Sequence, residues 1–175
     1  KERGYSEEII KKFELGYSPK SKDALSKKSI KNQYSKESLL KSGLSIEIDK
    51  KALIDRFRER VIFPIHSFSG RILGFGGRAL NPNAKAKYQN SPESLIYNKS
   101  KILYGIFFAK NAISKNDNCF IVEGYTDVIS LHQKGVKNVV SASGTALSID
   151  QVKLISRFTN NISILFDSDS AGIKA

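Results

Sequence analysis

The chain has 175 residues, 40% of them hydrophobic, and 29 Lys and Arg against 17 Asp and Glu give a net charge of +12. That length suits one large domain or two small ones, and no apolar run reaches the roughly 18 residues of a membrane span. The single cysteine, Cys119, excludes an internal disulfide and a multi-cysteine zinc site; with a polar start and no signal-type segment, it points to the reducing cytoplasm.

In chain order, Ser6 followed by Glu7 and Glu8 starts a short helix that Gly16 can close. Ser18 to Lys31 is polar and lysine-rich, a surface turn or short helix, and Ser35 opens a helix that stops at Gly43. Ile46 to Asp55 reads as an exposed connection. Val61–Ile65 and Arg71–Phe75 are rich in β-formers around a Ser69-Gly70 turn, which predicts a hairpin, with Pro64 at an edge or bulge. Asn81 to Pro92 is loop-like, and a helix follows over Ile102 to Ile113.

Beyond Asn116-Asp117-Asn118 the pattern becomes regular. Strand Cys119–Val122, helix Tyr125–Lys134 stopped by Gly135, strand Asn138–Ala142, a Ser143-Gly144-Thr145 turn, a helix with a Ser148/Gln151 capping box and strand Ile162–Phe166 make βαβαβ. Right-handed crossovers then give a parallel sheet and an α/β fold. The chain stops a few residues into an expected next helix and reads as a fragment.

The charge is unevenly placed. Residues 1–117 hold 24 basic and 12 acidic residues, whereas residues 118–175 hold five of each. The excess fits attraction of a polyanion, although the lysines of residues 20–51 read equally well as solvated surface. In the neutral third, Glu123 ends one strand and Asp167 and Asp169 end another, at the sheet edge where open α/β folds bind ligands. Hard carboxylates in that position suit Mg²⁺ or Mn²⁺. Asp127 either supports the site or caps its helix. Arg56, Arg58 and Arg60 alternate ahead of a strand and are expected to share one face; the alternative for Arg60 is a salt bridge to Glu59 or Asp55. Gly74, Gly76 and Gly77 fit tight β-packing better than a phosphate loop. His66 and His132 are read as structural or exposed, and Cys119 as a buried thiol.

Glu123-Gly124-Tyr125-Thr126-Asp127 with Asp167-Ser168-Asp169 resembles the EGxxD and DxD pair of the Toprim domain. The blocks running from Arg56 to Ile65, Gly70 to Arg78, Lys87 to Glu93 and Lys99 to Gly105 are similar to RFRERxxFPI, GRxxGFGGR, KYxNSPE and KxxxLYG of bacterial DnaG-type replicative primases. The resemblance spans essentially the whole chain. It implies an α+β basic N-terminal subdomain over residues 1–117 and a Toprim domain, cut short, over residues 118–175.

The implied activity is synthesis of RNA primers on single-stranded DNA by nucleotidyl transfer from ribonucleoside triphosphates. Glu123, Asp167 and Asp169 are then catalytic and hold Mg²⁺ or Mn²⁺. Arg56, Arg58, Arg60, Arg78, Lys87, Tyr88, Asn90 and Lys99 are implied to bind DNA and nucleotide. A zinc-binding N-terminal domain and a C-terminal domain that meets the replicative helicase are expected outside this chain, as is a further acidic pair; the fragment itself is expected to be monomeric. Two departures are mild: DSD stands for the usual DGD, and EGYTD for EGYMD. The rival readings are a non-catalytic single-strand DNA-binding module and another Toprim enzyme, a topoisomerase or nuclease.

Overall fold

The computed structural model describes residues 4–49, 52–142 and 147–166. The elements are α1 (Glu7–Lys12), β1 (Gly16–Ser18), α2 (Ala24–Lys31), α3 (Lys36–Lys41), β2 (Ser45–Ile48), β3 (Ala52–Asp55), β4 (Arg60–His66), β5 (Ile72–Ala79), β6 (Tyr88–Asn90), α4 (Ile106–Asn116), β7 (Cys119–Val122), α5 (Tyr125–Gln133), β8 (Val139–Ser141), α6 (Ile149–Ile155) and β9 (Ile162–Leu165). They form two compact units. The first takes Lys1–Phe13, Ile65–Ile72 and Asn98–Ala175, and the second Glu14–Pro64 and Leu73–Tyr97.

The first unit holds the parallel sheet, ordered β8-β7-β9. Phe120 pairs with Val139 on one side of β7 and with Ser163 on the other, so all three strands end at the same edge. A central strand covered on both faces needs apolar residues at nearly every position. Cys119 and Ile121 meet that need by joining Leu103, Ile106, Ala109, Ile113, Val140 and Ile155 in one core, and Val122 is buried as well. Each fully buried aliphatic side chain there contributes about 1.5–3 kcal/mol. Burial also pushes the Cys119 thiol up to about 12, as befits a structural thiol.

Two terminators behave as their residue types require. Gly135 follows α5 at φ +90°, and Ser148 and Gln151 cap α6 reciprocally, each side chain taking the other's backbone N–H at 3.1 and 3.0 Å. The Ser143-Gly144-Thr145 turn lies outside the described residues. α4 starts at Ile106 rather than Ile102, because Gly105 at φ +87° breaks the chain direction; a Cβ there would meet Val128 Cγ1 at 2.8 Å.

The second unit contains most of an antiparallel sheet, ordered β1-β4-β5-β6, whose central hairpin runs through residues 65–72. Gly16 opens β1 instead of closing α1; the left-handed residue after α1 is Glu14, φ +53°. β4 lies between β1 and β5, so Pro64 is not on an edge strand as expected; it sits past the Arg60–Ile62 stretch that pairs with β1. Residues 46–55 are not a plain connection: β2 and β3 pair from Ser45↔Asp55 to Ile48↔Ala52. Ile46 and Ile48 are nevertheless exposed, so this small hairpin has one wet face. β6 lies inside the expected loop and pairs with β5 at Gly76–Arg78.

His132 is buried on α5, edge-on to Phe13 with 5.1 Å between ring centroids, and neither ring nitrogen has a hydrogen-bond partner among the described residues. Burial first, then Lys12 and Lys137, pull its pKa down to about 4. The folded pKa lies below the unfolded one near 6.5. The contribution is therefore complete above about pH 6.5 and is lost as pH falls toward 4. We expect His132→Leu to lose less stability than the parent between pH 7 and pH 4.5, by on the order of 2 kcal/mol, in urea unfolding. Equal losses would show that His132 is not the titrating group.

Candidate active site

The acidic part of the site belongs to the first unit. Glu123 follows β7 directly and is half-buried. Its backbone carbonyl accepts a 2.7 Å hydrogen bond from the hydroxyl of Ser141, the fully buried last residue of β8. Ser141 is in turn bridged to Tyr104, N–H to carbonyl in both directions at 2.9 and 3.1 Å. The main chain at Glu123 is thus held from the neighbouring strand. Sequence reading missed Ser141; its signal is position alone, a small hydroxyl closing the strand next to the acid.

Asp127 resolves in favour of capping. Its Oδ2 accepts from the Gly124 N–H at 3.0 Å, and the Asp127 N–H donates to the Gly124 carbonyl at 3.2 Å, which closes the first turn of α5. An acid in that turn also meets the positive end of the helix dipole. Asp167 and Asp169 lie outside the described residues, and among the described residues no three His, Cys, Asp or Glu gather closely enough to hold a metal.

Two features of the edge fit a divalent cation. The parallel pairing sets Val122 opposite Leu165, so Glu123 is the first residue past one strand and Asp167 comes two residues past the other in sequence. The candidate donors are also all carboxylates, the hard oxygen ligands that Mg²⁺ and Mn²⁺ prefer. Lys99 belongs to this unit too, on a 3₁₀ turn whose carbonyl accepts from Gln151 Nε2 at 3.2 Å.

The basic residues of the second unit do not line up as their alternation suggested. Strand β4 begins only at Arg60, and Glu59 before it sits at φ +53°, so residues 56–59 form a bend with no period of two. Arg56 turns inward: its Nε donates to the Gly43 carbonyl at 2.8 Å, and its N–H to that of Leu44. Arg60 reaches the carbonyls of Gly77 and Lys87, both at 3.4 Å, and burial lowers its pKa. Arg58 alone of the three is exposed. Asp55 is no ion-pair partner for Arg60 but a remote cap, its carboxylate accepting the Leu25 and Ser26 N–H groups at 2.6 and 2.9 Å.

Arg78 and Tyr88 are register partners on β5 and β6, with the guanidinium 5.7 Å from the ring centroid. Exposed Lys87 immediately precedes β6, and half-buried Asn90 ends it. The glycines of this hairpin serve packing. A Cβ on Gly77 would lie 2.7 Å from Phe57 and 3.0 Å from Arg60 Cδ, so the bare backbone is what lets Arg60 lie across β5. His66 is buried, its ring stacked 5.9 Å from that of Phe107, in keeping with a structural reading.

A three-stranded parallel sheet with an acid at its carboxyl edge is an α/β arrangement of the kind that binds ligands at that edge. Comparison with known proteins makes the class specific. The family model for the N-terminal domain of the DNA primase catalytic core matches residues 1–110, and a Toprim-like model matches residues 120–175. The chain belongs to the DNA primase catalytic core family.

Among its relatives, the DNA primase of Legionella pneumophila is 42% identical over 99% of this chain, and that of Escherichia coli K12 is 40% identical over 97%. The chain spans 30% and 29% of their lengths. The RNA polymerase domain of Mycobacterium tuberculosis primase DnaG superposes with a TM-score of 0.91 at 35% identity, covering 97% of this chain and 58% of that one. The Aquifex aeolicus primase, solved with its zinc-binding and RNA polymerase domains, gives 0.92 at 39% identity, covering 99% and 42%.

The Asp127 cap gives a direct test. Asp127→Ala should cost about 1 kcal/mol in urea unfolding, the usual value of an N-terminal cap, and Asp127→Asn should recover most of it. Unchanged stability in Asp127→Ala would remove the carboxylate from a capping role.

Proposed function

We propose that this chain is the part of a DNA primase that joins template binding to metal-dependent nucleotidyl transfer, making RNA primers on single-stranded DNA from ribonucleoside triphosphates. The observation that carries the reading is the acid Glu123 at the carboxyl edge of a parallel sheet, its main chain held by Ser141, in a chain of this family. Related cores have been solved with DNA: a DnaG catalytic domain bound to single-stranded DNA and the M. tuberculosis domain with a duplex carrying a 6-nucleotide overhang. No helix among the described residues is long and apolar enough to cross a membrane, and the reading places the protein in the cytoplasm as a monomeric core.

In this reading Glu123, Asp167 and Asp169 hold Mg²⁺ or Mn²⁺, with Asp127 supporting the turn that carries Glu123. Held there, a divalent cation would supply Lewis acidity, lowering the pKa of the attacking 3′-hydroxyl and offsetting charge on the phosphates. Glu123 has a second task, accepting the hydroxyl proton as the terminal 3′-oxygen attacks the α-phosphorus and pyrophosphate leaves. Template and nucleotide fall to Arg58, Arg78, Lys87, Tyr88, Asn90 and Lys99. Guanidinium and ammonium groups meet phosphates there, and the Tyr88 ring offers a base a stacking face. Arg56 and Arg60 contribute by fixing the backbone around these groups. The chemistry is assigned to residues 118–175 and template binding to residues 1–117, with zinc and the replicative helicase engaged by domains of the whole primase.

Two measurements test this. Glu123→Gln should lower ribonucleotide incorporation on single-stranded DNA by about 100-fold or more while leaving DNA affinity within about twofold, in this chain and in a longer form that continues through the Toprim domain. Full incorporation by the variant, or equal loss of DNA binding, would defeat the assignment. Separately, Arg58→Gln should reduce the slope of log affinity against log salt by about one, the signature of one lost phosphate contact. Arg60→Gln should weaken binding with the slope preserved. A slope change in Arg60→Gln instead would return that arginine to the phosphates.

A further inference from the structure

The second unit contains a half-open pocket of about 550 Å³ that none of the assignments above uses. Its floor is Ile62 of β4, Phe75 of β5 and Phe57; one wall is β1 with Tyr17, and the other is α2 with Leu25 and Lys28. A void of this size falls in the range of ligand sites, roughly 300–1,000 Å³. Its lining is aliphatic and aromatic. At the mouth, Tyr17 is 57% exposed and Leu25 39%, a costly arrangement for large apolar groups unless something covers them.

The rim says what chemistry the occupant has. Ser18 of β1 donates its hydroxyl to the Phe57 carbonyl, and the Glu59 N–H donates to the Pro19 carbonyl at 3.1 Å. Exposed Arg58 comes directly after Phe57 of the lining, its main chain between those two anchored residues. Lys28 is exposed in the lining itself, beside one acid, Glu14, and Arg58 adds a second exposed cation next in the chain to the lining residue Phe57. Neighbouring Lys27 is neutralised by Asp23 at 3.0 Å, which leaves Lys28 as the cation α2 turns toward the opening. The unit as a whole has 15 Lys and Arg against eight Asp and Glu. An apolar slot with an exposed tyrosine and a lysine in its lining, in a unit of net positive charge, has the two parts of a single-strand site, a stacking surface for a base and positive charge for the phosphates beside it.

We propose that this pocket takes one unstacked base of a single-stranded nucleic acid, with Tyr17 as its stacking face and Lys28 and Arg58 meeting the flanking phosphates. The subsite rests on the template-binding part of the proposed function and is independent of the metal chemistry. It adds a base-sized contact on the α2 side of the sheet to those assigned to β5 and β6. Because the walls are apolar, it holds a base by shape and stacking and does not read its edge, so purine and pyrimidine runs are both accepted.

The test is fluorescence anisotropy with a labelled oligothymidylate and with an abasic strand of the same length, on the parent, Tyr17→Ala and Leu25→Glu. Losing one stacked base should weaken oligothymidylate binding roughly 5- to 100-fold in Tyr17→Ala and leave the abasic strand unchanged. Leu25→Glu, which puts an acid at the mouth, should weaken both. Lys28→Gln should lower the salt slope by about one. Equal weakening of both strands by Tyr17→Ala would overturn the subsite. Unchanged oligonucleotide binding in both Tyr17→Ala and Leu25→Glu would also overturn it and assign the pocket to an apolar protein segment. A parent protein that binds neither strand would instead remove template binding itself, a failure distinguishable from that of the pocket alone.

Discussion

Strand β7 is the constraint from which the acidic site follows. It is the middle strand of a three-stranded parallel sheet, and its side chains fill the core shared with α4 and α6. Shifting its register by one residue would turn Ile121 out of that core and move Glu123 away from the edge. Core packing therefore fixes where the acid stands. The carbonyl of Glu123 is then held by Ser141 from β8, and the turn beyond it is closed by the Asp127 cap. Rigid placement by elements whose stability comes from elsewhere is what catalysis by positioned carboxylates needs.

The second unit applies the same logic to positive charge. Two of its arginines work inward, Arg56 on the end of α3 and Arg60 across Gly77 to Lys87, and so shape the backbone that carries the outward-facing groups. Arg78 lies against Tyr88, which gives the tyrosine ring a cation on one side. A block of similar arginines in a sequence thus divides into Arg56 and Arg60, which hold backbone carbonyls, and Arg58, which is exposed. That division is invisible in a list of charges.

Legibility followed the range of the interactions. The βαβαβ pattern was readable because each signal is local: the apolar run Cys119–Val122, the Gly135 stop and the Ser148/Gln151 box all act within a few residues. The missed strands have no such signal. β1 and β6 are three residues long and exist because β4 and β5 offer them unpaired edges, while in β2 the alternating Ile46 and Ile48 face solvent, so their pattern marks no buried face. Arg56, Arg58 and Arg60 were misread as one face because the left-handed Glu59 breaks the period, and nothing in a glutamate announces positive φ. Asp127 was left open between support and cap, and the Gly124 N–H decided it. The family blocks located the candidate acids that periodicity alone could only suggest.

We propose that Glu123 and the Asp167–Asp169 pair together hold a divalent cation. Electron paramagnetic resonance of Mn²⁺ titrated into the protein tests it without recourse to activity. The parent should bind Mn²⁺, and Glu123→Gln and Asp167→Asn should each weaken binding by about 10-fold or more. Mn²⁺ bound equally by the parent and both variants would contradict it and leave the acids of this edge to the fold.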